Sequence, residues 1–300
     1  MNQETIKELL RGVYAPMCTP FVNDEVDYAG YKKNIEKMNG SGIKGYFILG
    51  TNGEFKTLSE AERVKILELA VSSASSEMVV MAGTGVESTR ETIRLTKQAA
   101  EIGVSSVSLL MPNFFVKKMT DAALISHILE VADASPIPVV LYNNPSVAAG
   151  LVISTAVVEA VSAHANVAGI KDSGRESWKA NCAYDRDDFS VLAGSAGYVH
   201  DLLEAGGSGG VLSLANVIPQ ACGDFYRLYT EGKKAEAAEL NTRLVDLNKK
   251  VSGQYGVAGV KFAMDYAGFA GGVPRRPMSG LSAEEKKSLE ADLSSSGFFN

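Results

Sequence analysis

The chain has 300 residues, 46% hydrophobic and 21% charged, with 9 prolines and a formal net charge of -6. Such a composition supports a large buried core and excludes a disordered, collagen-like or low-complexity chain. Lys and Arg are scattered and form no basic stripe that would neutralise a nucleic-acid backbone, so the expected partners are small molecules.

The opening residues, Met1 to Glu8, are polar and charged and lack the apolar core of a secretory signal. No run reaches the roughly 18 apolar residues of a membrane span, which predicts a cytoplasmic protein without membrane contact. Cys18, Cys182 and Cys222 are odd in number and widely spaced, which suits reduced thiols; buried small hydrophobes are the preferred reading. His127, His164 and His200 match no metal-ligand spacing, so no metal is expected.

In chain order, short apolar runs rich in β-formers alternate with helical patterns. The runs are Gly12 to Cys18, Gly45 to Leu49, Met78 to Ala82, Ser106 to Leu110, Pro138 to Leu141, Val167 to Ile170, Phe189 to Leu192 and Gly210 to Leu214. Several are continuously apolar, as in parallel strands covered on both faces by crossover helices. Ser59 with Glu62 and Ser88 with Glu91 read as capping boxes that start intervening helices. Eight such units either close into a barrel or lie open as a doubly wound sheet, and the count favours an α/β (β/α)8 TIM barrel.

After Leu214 the strand pattern stops. Helices are predicted over Pro219 to Glu231, Lys233 to Val251, Val257 to Gly268 and Ala283 to Ser294, the last opened by Ser282 and Glu285. The division expected is a barrel over residues 1–215 and a C-terminal helical extension over 216–300 packed on it, with no linker long enough to separate independent domains.

Working residues of a β/α barrel sit at the carboxyl ends of its strands. Strand 2 ends in Gly50-Thr51-Asn52-Gly53-Glu54, strand 5 in Tyr142-Asn143-Asn144-Pro145, strand 6 in Lys171-Asp172-Ser173-Gly174 and strand 7 in Ala193-Gly194-Ser195-Ala196-Gly197. Lys171 follows an apolar strand, where desolvation lowers a lysine pKa toward the neutral amine that attacks a ketone; the plainer alternative is a lysine that snorkels to water. Tyr142 can relay protons or can be a core tyrosine with a satisfied hydroxyl. Thr51 and Asn52 can present donors to a carboxylate or can form an ordinary turn.

Three glycine-rich stretches carry weaker readings. Gly83-Thr84-Gly85 lacks the third glycine of the dinucleotide fingerprint. Gly206 to Gly210 matches a nucleophile elbow in letters only, since it precedes a strand. Gly194 to Gly197 remains a minor candidate for phosphate.

The strand-end motifs, with Gly169-Ile170-Lys171-Asp172-Ser173, resemble the dihydrodipicolinate synthase and N-acetylneuraminate lyase superfamily over essentially the whole chain. Gly53-Glu54-Phe55, Ser135 to Tyr142, Leu192 to Gly197 and Leu214-Ala215-Asn216-Val217 are most similar to 4-hydroxy-2-oxoglutarate aldolases within it. The resemblance implies a class I aldolase in which Lys171 forms a Schiff base with a 2-oxo acid such as pyruvate and Tyr142 is the catalytic tyrosine. It further implies substrate contacts from Thr51, Asn52, Ser173, Gly194 and Ser213, a homotetramer, and no metal or organic cofactor.

Two departures stand out. The family usually has paired tyrosines after strand 4, where this chain has Pro112-Asn113-Phe114-Phe115, and phenylalanine passes no proton. Synthases carry an arginine after the Tyr-Asn-x-Pro turn, where this chain reads Pro145-Ser146-Val147-Ala148-Ala149-Gly150. Loss of a bidentate carboxylate clamp argues against dihydrodipicolinate synthesis. The expected reaction is cleavage of 4-hydroxy-2-oxoglutarate to pyruvate and glyoxylate. The alternatives are a dihydrodipicolinate-type or sugar-acid enzyme with the same imine, and a non-catalytic barrel that binds a 2-oxo acid.

Overall fold

The structure is a computed structural model that describes residues 8–174 and 176–299. Among them, eight parallel strands close into a barrel. They are β1 (Gly12–Pro16), β2 (Gly45–Ile48), β3 (Val79–Gly83), β4 (Ser106–Leu110), β5 (Val139–Asn143), β6 (Val167–Asp172), β7 (Ser190–Ala193) and β8 (Gly209–Val211). The closed order is β1-β8-β7-β6-β5-β4-β3-β2, which settles the barrel against the open sheet. β1, β2, β4, β5, β6, β7 and β8 are buried at every position, as strands covered on both faces must be. Burying each large aliphatic side chain in them contributes about 1.5–3 kcal/mol.

Strand ends differ from the sequence expectation in informative ways. β1 stops at Pro16 instead of Cys18, because the Cys18 N–H leaves the sheet to donate to Asn216 Oδ1 at 3.1 Å. β8 stops at Val211, since Ser213–Asn216 winds into a 3-10 turn. β5 and β6 instead run longer than expected and include Tyr142 and Lys171, which therefore lie in the sheet, not after it.

By compactness the described residues form two units, residues 8–12 with those of Val79–Val211, and Val13–Met78 with residues 212–299. The boundary proposed after residue 215 instead follows the end of the strand pattern.

The first unit carries β3 to β8. Its helices are α3 (Thr89–Ile102), α4 (Asp121–Ala134), α5 (Thr155–Ser162), α6 (Ser177–Asn181) and α7 (Val199–Glu204). Ser88 caps α3 by accepting from the Glu91 N–H, but the box is only half built. The Glu91 carboxylate turns to Arg94, whose Nε donates at 2.9 Å.

The second unit holds most of β1, then β2, α1 (Tyr28–Met38), α2 (Glu60–Ser73) and the C-terminal helices. Between β1 and α1 lies a hairpin of Phe21–Val22 with Glu25–Val26 that the sequence reading did not include. Its turn residues Asn23 and Asp24 have φ of 52° and 70°, the geometry that fits two-residue hairpins and that Asn and Asp tolerate. The helices that follow the barrel are α8 (Pro219–Thr230), α9 (Lys234–Asn248), α10 (Gln254–Tyr266) and α11 (Ala283–Ser295). Lys249–Gly253 is a π-helical turn that joins α9 to α10. Gly256, at φ 56° and ψ -140°, breaks the helical backbone just before Val257, where the sequence pattern placed a helix start.

Both remaining capping boxes form. Ser59 N–H donates to Glu62 Oε2 at 2.7 Å while Glu62 N–H donates to Ser59 Oγ at 3.3 Å, and Ser282 with Glu285 repeats the pattern. Glu62 also receives Arg275 through Nη1 at 3.0 Å and Nη2 at 2.6 Å. The Arg275 hydrogen bond holds the Glu62 carboxyl at about 2, below the ordinary 4.5. A folded pKa below the unfolded one gives stability that is complete above about pH 4.5 and disappears as pH falls toward 2. Glu62→Gln is therefore expected to flatten the acid limb of the melting temperature in that window, measured by thermal denaturation against pH; an unchanged limb would remove Glu62 from the account.

Among the described residues no helix is long and apolar enough to cross a membrane, and no cluster of three or more His, Cys, Asp or Glu is placed to hold a metal.

Candidate active site

The residues singled out from the sequence fall in both units. In the first, parallel register sets Tyr142 of β5 opposite Lys171 of β6, and Asn143 opposite Asp172. Registered neighbours on one face of a sheet stand close, and Lys171 Nζ lies 3.9 Å from the centroid of the Tyr142 ring. Both side chains are only 4% exposed. Burial pulls the Lys171 pKa down, and the hydrogen-bonded Tyr142 phenol partly opposes it. The snorkelling alternative is thereby corrected: the amine is enclosed instead of reaching water.

Tyr142 Oη accepts a hydrogen bond from Asn144 Nδ2 at 2.8 Å, and Asn144 Oδ1 accepts one from Ser146 Oγ at 2.6 Å. Beside Lys171, the buried Asp172 carboxylate is fully engaged. Its Oδ1 accepts from Asn143 Nδ2 at 2.9 Å, Gly174 N–H at 2.8 Å and Ser177 Oγ at 2.9 Å, and its Oδ2 accepts from Asn181 Nδ2 at 2.7 Å. Asn143 Oδ1 accepts the Ile153 N–H at 3.1 Å. Both carboxylate oxygens of Asp172 are satisfied, which fixes the geometry of that side chain and braces the β5 and β6 ends that carry Tyr142 and Lys171.

Ser173 donates its N–H to the Asn143 carbonyl at 2.7 Å, and Gly194 donates its own to the Asp172 carbonyl at 2.8 Å. A Cβ at Gly194 would collide with Ser173 Oγ, which explains why glycine stands there. Tyr198 Oη donates to the Asp172 carbonyl at 2.5 Å, and its ring stacks on Trp178 at 5.5 Å. The structure thus gathers Lys171, Tyr142, Ser173 and Gly194 at the ends of consecutive strands.

In the second unit, the Gly50 to Glu54 segment turns tightly after β2. Gly53 N–H donates to the Gly50 carbonyl at 3.1 Å and Glu54 N–H to the Thr51 carbonyl at 3.0 Å. Thr19 Oγ1 fastens the turn by donating to the Gly53 carbonyl at 2.8 Å. Asn52 Nδ2 donates to Ser213 Oγ at 3.0 Å, so two predicted contacts are joined directly, while Thr51 stands half-buried beside them. Leu49 and Glu54, which flank the turn, have φ of 59° and 53°, left-handed values uncommon for such residues and concentrated at working loops.

The sequence reading passed over an ion pair beneath this turn. Glu54 Oε1 meets Lys261 Nζ at 2.5 Å, with side chains 1% and 0% exposed. Glu54 Oε2 also accepts the Arg275 N–H at 2.9 Å, and Lys261 Nζ donates to the Val273 carbonyl at 3.0 Å. The only sequence signal was Lys261 inside an apolar helical stretch. The roles of Asn144, Asp172 and Tyr198 were likewise not visible in the sequence.

Phe114 and Phe115 are 77% and 68% exposed in the single chain and pack edge to face at 4.9 Å. Glu87 Oε2 holds their loop by accepting from Asn113 N–H at 3.0 Å and Phe114 N–H at 2.8 Å. No phenol is present at either position.

A closed parallel barrel with a desolvated lysine beside a tyrosine at its strand ends suits imine chemistry on a carbonyl substrate. The family model for the Dihydrodipicolinate synthetase family matches residues 9–296, and the chain belongs to that family as an enzyme of the class I aldolase type. It is 36% identical over 298 residues to a probable mitochondrial 4-hydroxy-2-oxoglutarate aldolase of Emericella nidulans, covering 97% of this chain and 96% of that protein. It is 33% identical over 285 residues to a 4-hydroxy-tetrahydrodipicolinate synthase of Methanococcoides burtonii, covering 94% and 96%. Among solved structures it is similar to YagE of E. coli K12, a prophage protein of the dihydrodipicolinic acid synthase family in complex with pyruvate. That similarity has a TM-score of 0.89 at 27% identity and covers 97% of this chain and 99% of that one.

Proposed function

We propose that the protein cleaves 4-hydroxy-2-oxoglutarate to pyruvate and glyoxylate through an imine on Lys171. The observation that carries this reading is the enclosed Lys171 amine, its pKa pulled down by burial, beside the Tyr142 phenol. A neutral amine attacks C2 of the ketone to give a carbinolamine, which loses water to become an iminium. The C4 hydroxyl gives up its proton, the C3–C4 bond breaks, and its electron pair flows into the iminium as glyoxylate leaves. Protonation of the enamine at C3 and hydrolysis release pyruvate and restore the lysine. Tyr142 serves as the proton carrier.

Ser173 and Gly194 are assigned to the substrate carried on Lys171, Thr51 and Asn52 to binding a carboxylate, and Ser213 to a further substrate contact. The hydroxyl and amide donors of the second-unit turn suit an anion, and the fit of Ser173 over Gly194 suits a close backbone approach. Absence of arginine from Pro145 to Gly150 favours the aldolase over the synthase reaction. The protein is proposed to act in the cytoplasm as a homotetramer, to be checked by sedimentation.

The deciding experiment is borohydride reduction with pyruvate and then with 4-hydroxy-2-oxoglutarate, followed by peptide mass spectrometry and assay of released glyoxylate. The same pyruvate adduct on the Lys171 peptide from both incubations, with glyoxylate from the second, is expected. An adduct from pyruvate without cleavage of 4-hydroxy-2-oxoglutarate would move the assignment to another 2-oxo acid; no adduct at all would overturn the imine.

A further inference from the structure

With phenylalanine at positions 114 and 115, no second phenol from that segment can support Tyr142 as a proton carrier. The β5 turn supplies a different support. Asn144 Nδ2 donates to Tyr142 Oη at 2.8 Å, and Ser146 Oγ donates to Asn144 Oδ1 at 2.6 Å. One residue after the buried Asn143 and two after Tyr142, Asn144 is half-buried, and Pro145 follows it. Two further bonds close the turn behind it, Val147 N–H to the Asn144 carbonyl at 3.2 Å and Gly150 N–H to the Pro145 carbonyl at 2.9 Å.

We infer that Asn144 is the positioning residue for Tyr142: its amide donates into the phenol oxygen and leaves the phenol's own proton for the Lys171 adduct, with Ser146 holding the amide in place. The inference rests on the reading of Lys171 and Tyr142 given above and goes beyond it, since it gives Asn144 a role exerted through the phenol. A donor aimed at an oxygen that alternates between phenol and phenolate stabilises the phenolate more. When the carbinolamine loses water, the C2–O bond breaks as its oxygen takes the Tyr142 proton, and the nitrogen lone pair forms the C=N bond. The phenolate left behind receives the Asn144 N–H, and it regains a proton when it accepts that of the C4 hydroxyl in the cleavage step. The hydroxyl–amide–phenol chain polarises in one direction, which strengthens each bond in it.

The test uses pyruvate alone as probe and follows the rate at which borohydride traps it on the Lys171 peptide, across pH, in the full chain. Asn144→Val removes the donor and is expected to slow trapping about tenfold, equivalent to about 1.4 kcal/mol, with the half-saturating pyruvate concentration unchanged. Asn144→Asp keeps the shape and the Ser146 contact but offers only acceptors. It is expected to slow trapping further and to move the alkaline limb of the profile up by about one pH unit, because a carboxylate makes the phenol a weaker acid. A purely structural asparagine would leave that limb in place. If the Asp variant matches the unsubstituted protein in rate and profile, Asn144 does not orient the phenol and the inference falls while the imine mechanism stands. If the unsubstituted protein traps no pyruvate on Lys171, the mechanism and the inference fall together.

Discussion

Lys171→Ala is expected to form no borohydride-stable adduct and to lose at least about 10^3-fold in turnover, the scale on which removing a covalent nucleophile is felt. Its fold should survive and gain stability. The native site disfavours the charged amine, as the lowered pKa shows, so the unfolded chain binds a proton more readily there. A base depressed in this way costs the folded state most at low and neutral pH, and the cost fades as pH rises toward the ordinary 10.5. The Ala variant should therefore melt at or above the unsubstituted temperature near neutrality, with the difference shrinking as pH climbs. Retained turnover, or an adduct on another lysine peptide, would remove Lys171 as nucleophile. A melting temperature that drops sharply would instead give it a structural role.

The second large effect belongs to stability. Lys261→Ala leaves the buried Glu54 carboxylate without its cation and removes the ammonium that lies over the Phe21 ring. Breaking a buried pair from one side costs about 3–5 kcal/mol, because the surviving charge is neither solvated nor paired. For a chain of this size that lowers the melting temperature by on the order of 10 °C. Glu54→Leu with Lys261→Met removes both charges, and the double variant is expected to lose less than the sum of its single variants. Recovery will be incomplete, because the Arg275 N–H and the Val273 carbonyl lose their partners. Additive losses, or a Lys261→Ala cost under about 1 kcal/mol, would show that the pair is not coupled.

Much of the architecture was legible in short stretches of chain. Val167 to Ile170 and Pro138 to Leu141 read as buried strands because every position is apolar and small enough to pack on both faces. Ser59 with Glu62, and Ser282 with Glu285, read as helix starts because a cap is completed within four residues. Ser88 with Glu91 shows the limit: the same spacing formed half a box because Arg94, on the next turn, competed for the carboxylate. Asn23-Asp24 carried a hairpin signal that went unread, since each strand is only two residues long.

The candidate site divides in the same way. Lys171, Tyr142 and the Thr51-Asn52 turn were offered as candidates because each follows an apolar run, a relation contained in the local sequence. The sequence by itself determined the strand and helix pattern, the start signals and the residues offered at strand ends, because these depend on neighbours a few positions away. The tertiary structure decided the rest: barrel closure, the Tyr142–Lys171 register, the Asn52–Ser213 bond and the burial of Glu54 against Lys261. Each depends on strand pairing and desolvation between segments remote in the chain, and no local pattern encodes which distant partner will exclude water from a given charge.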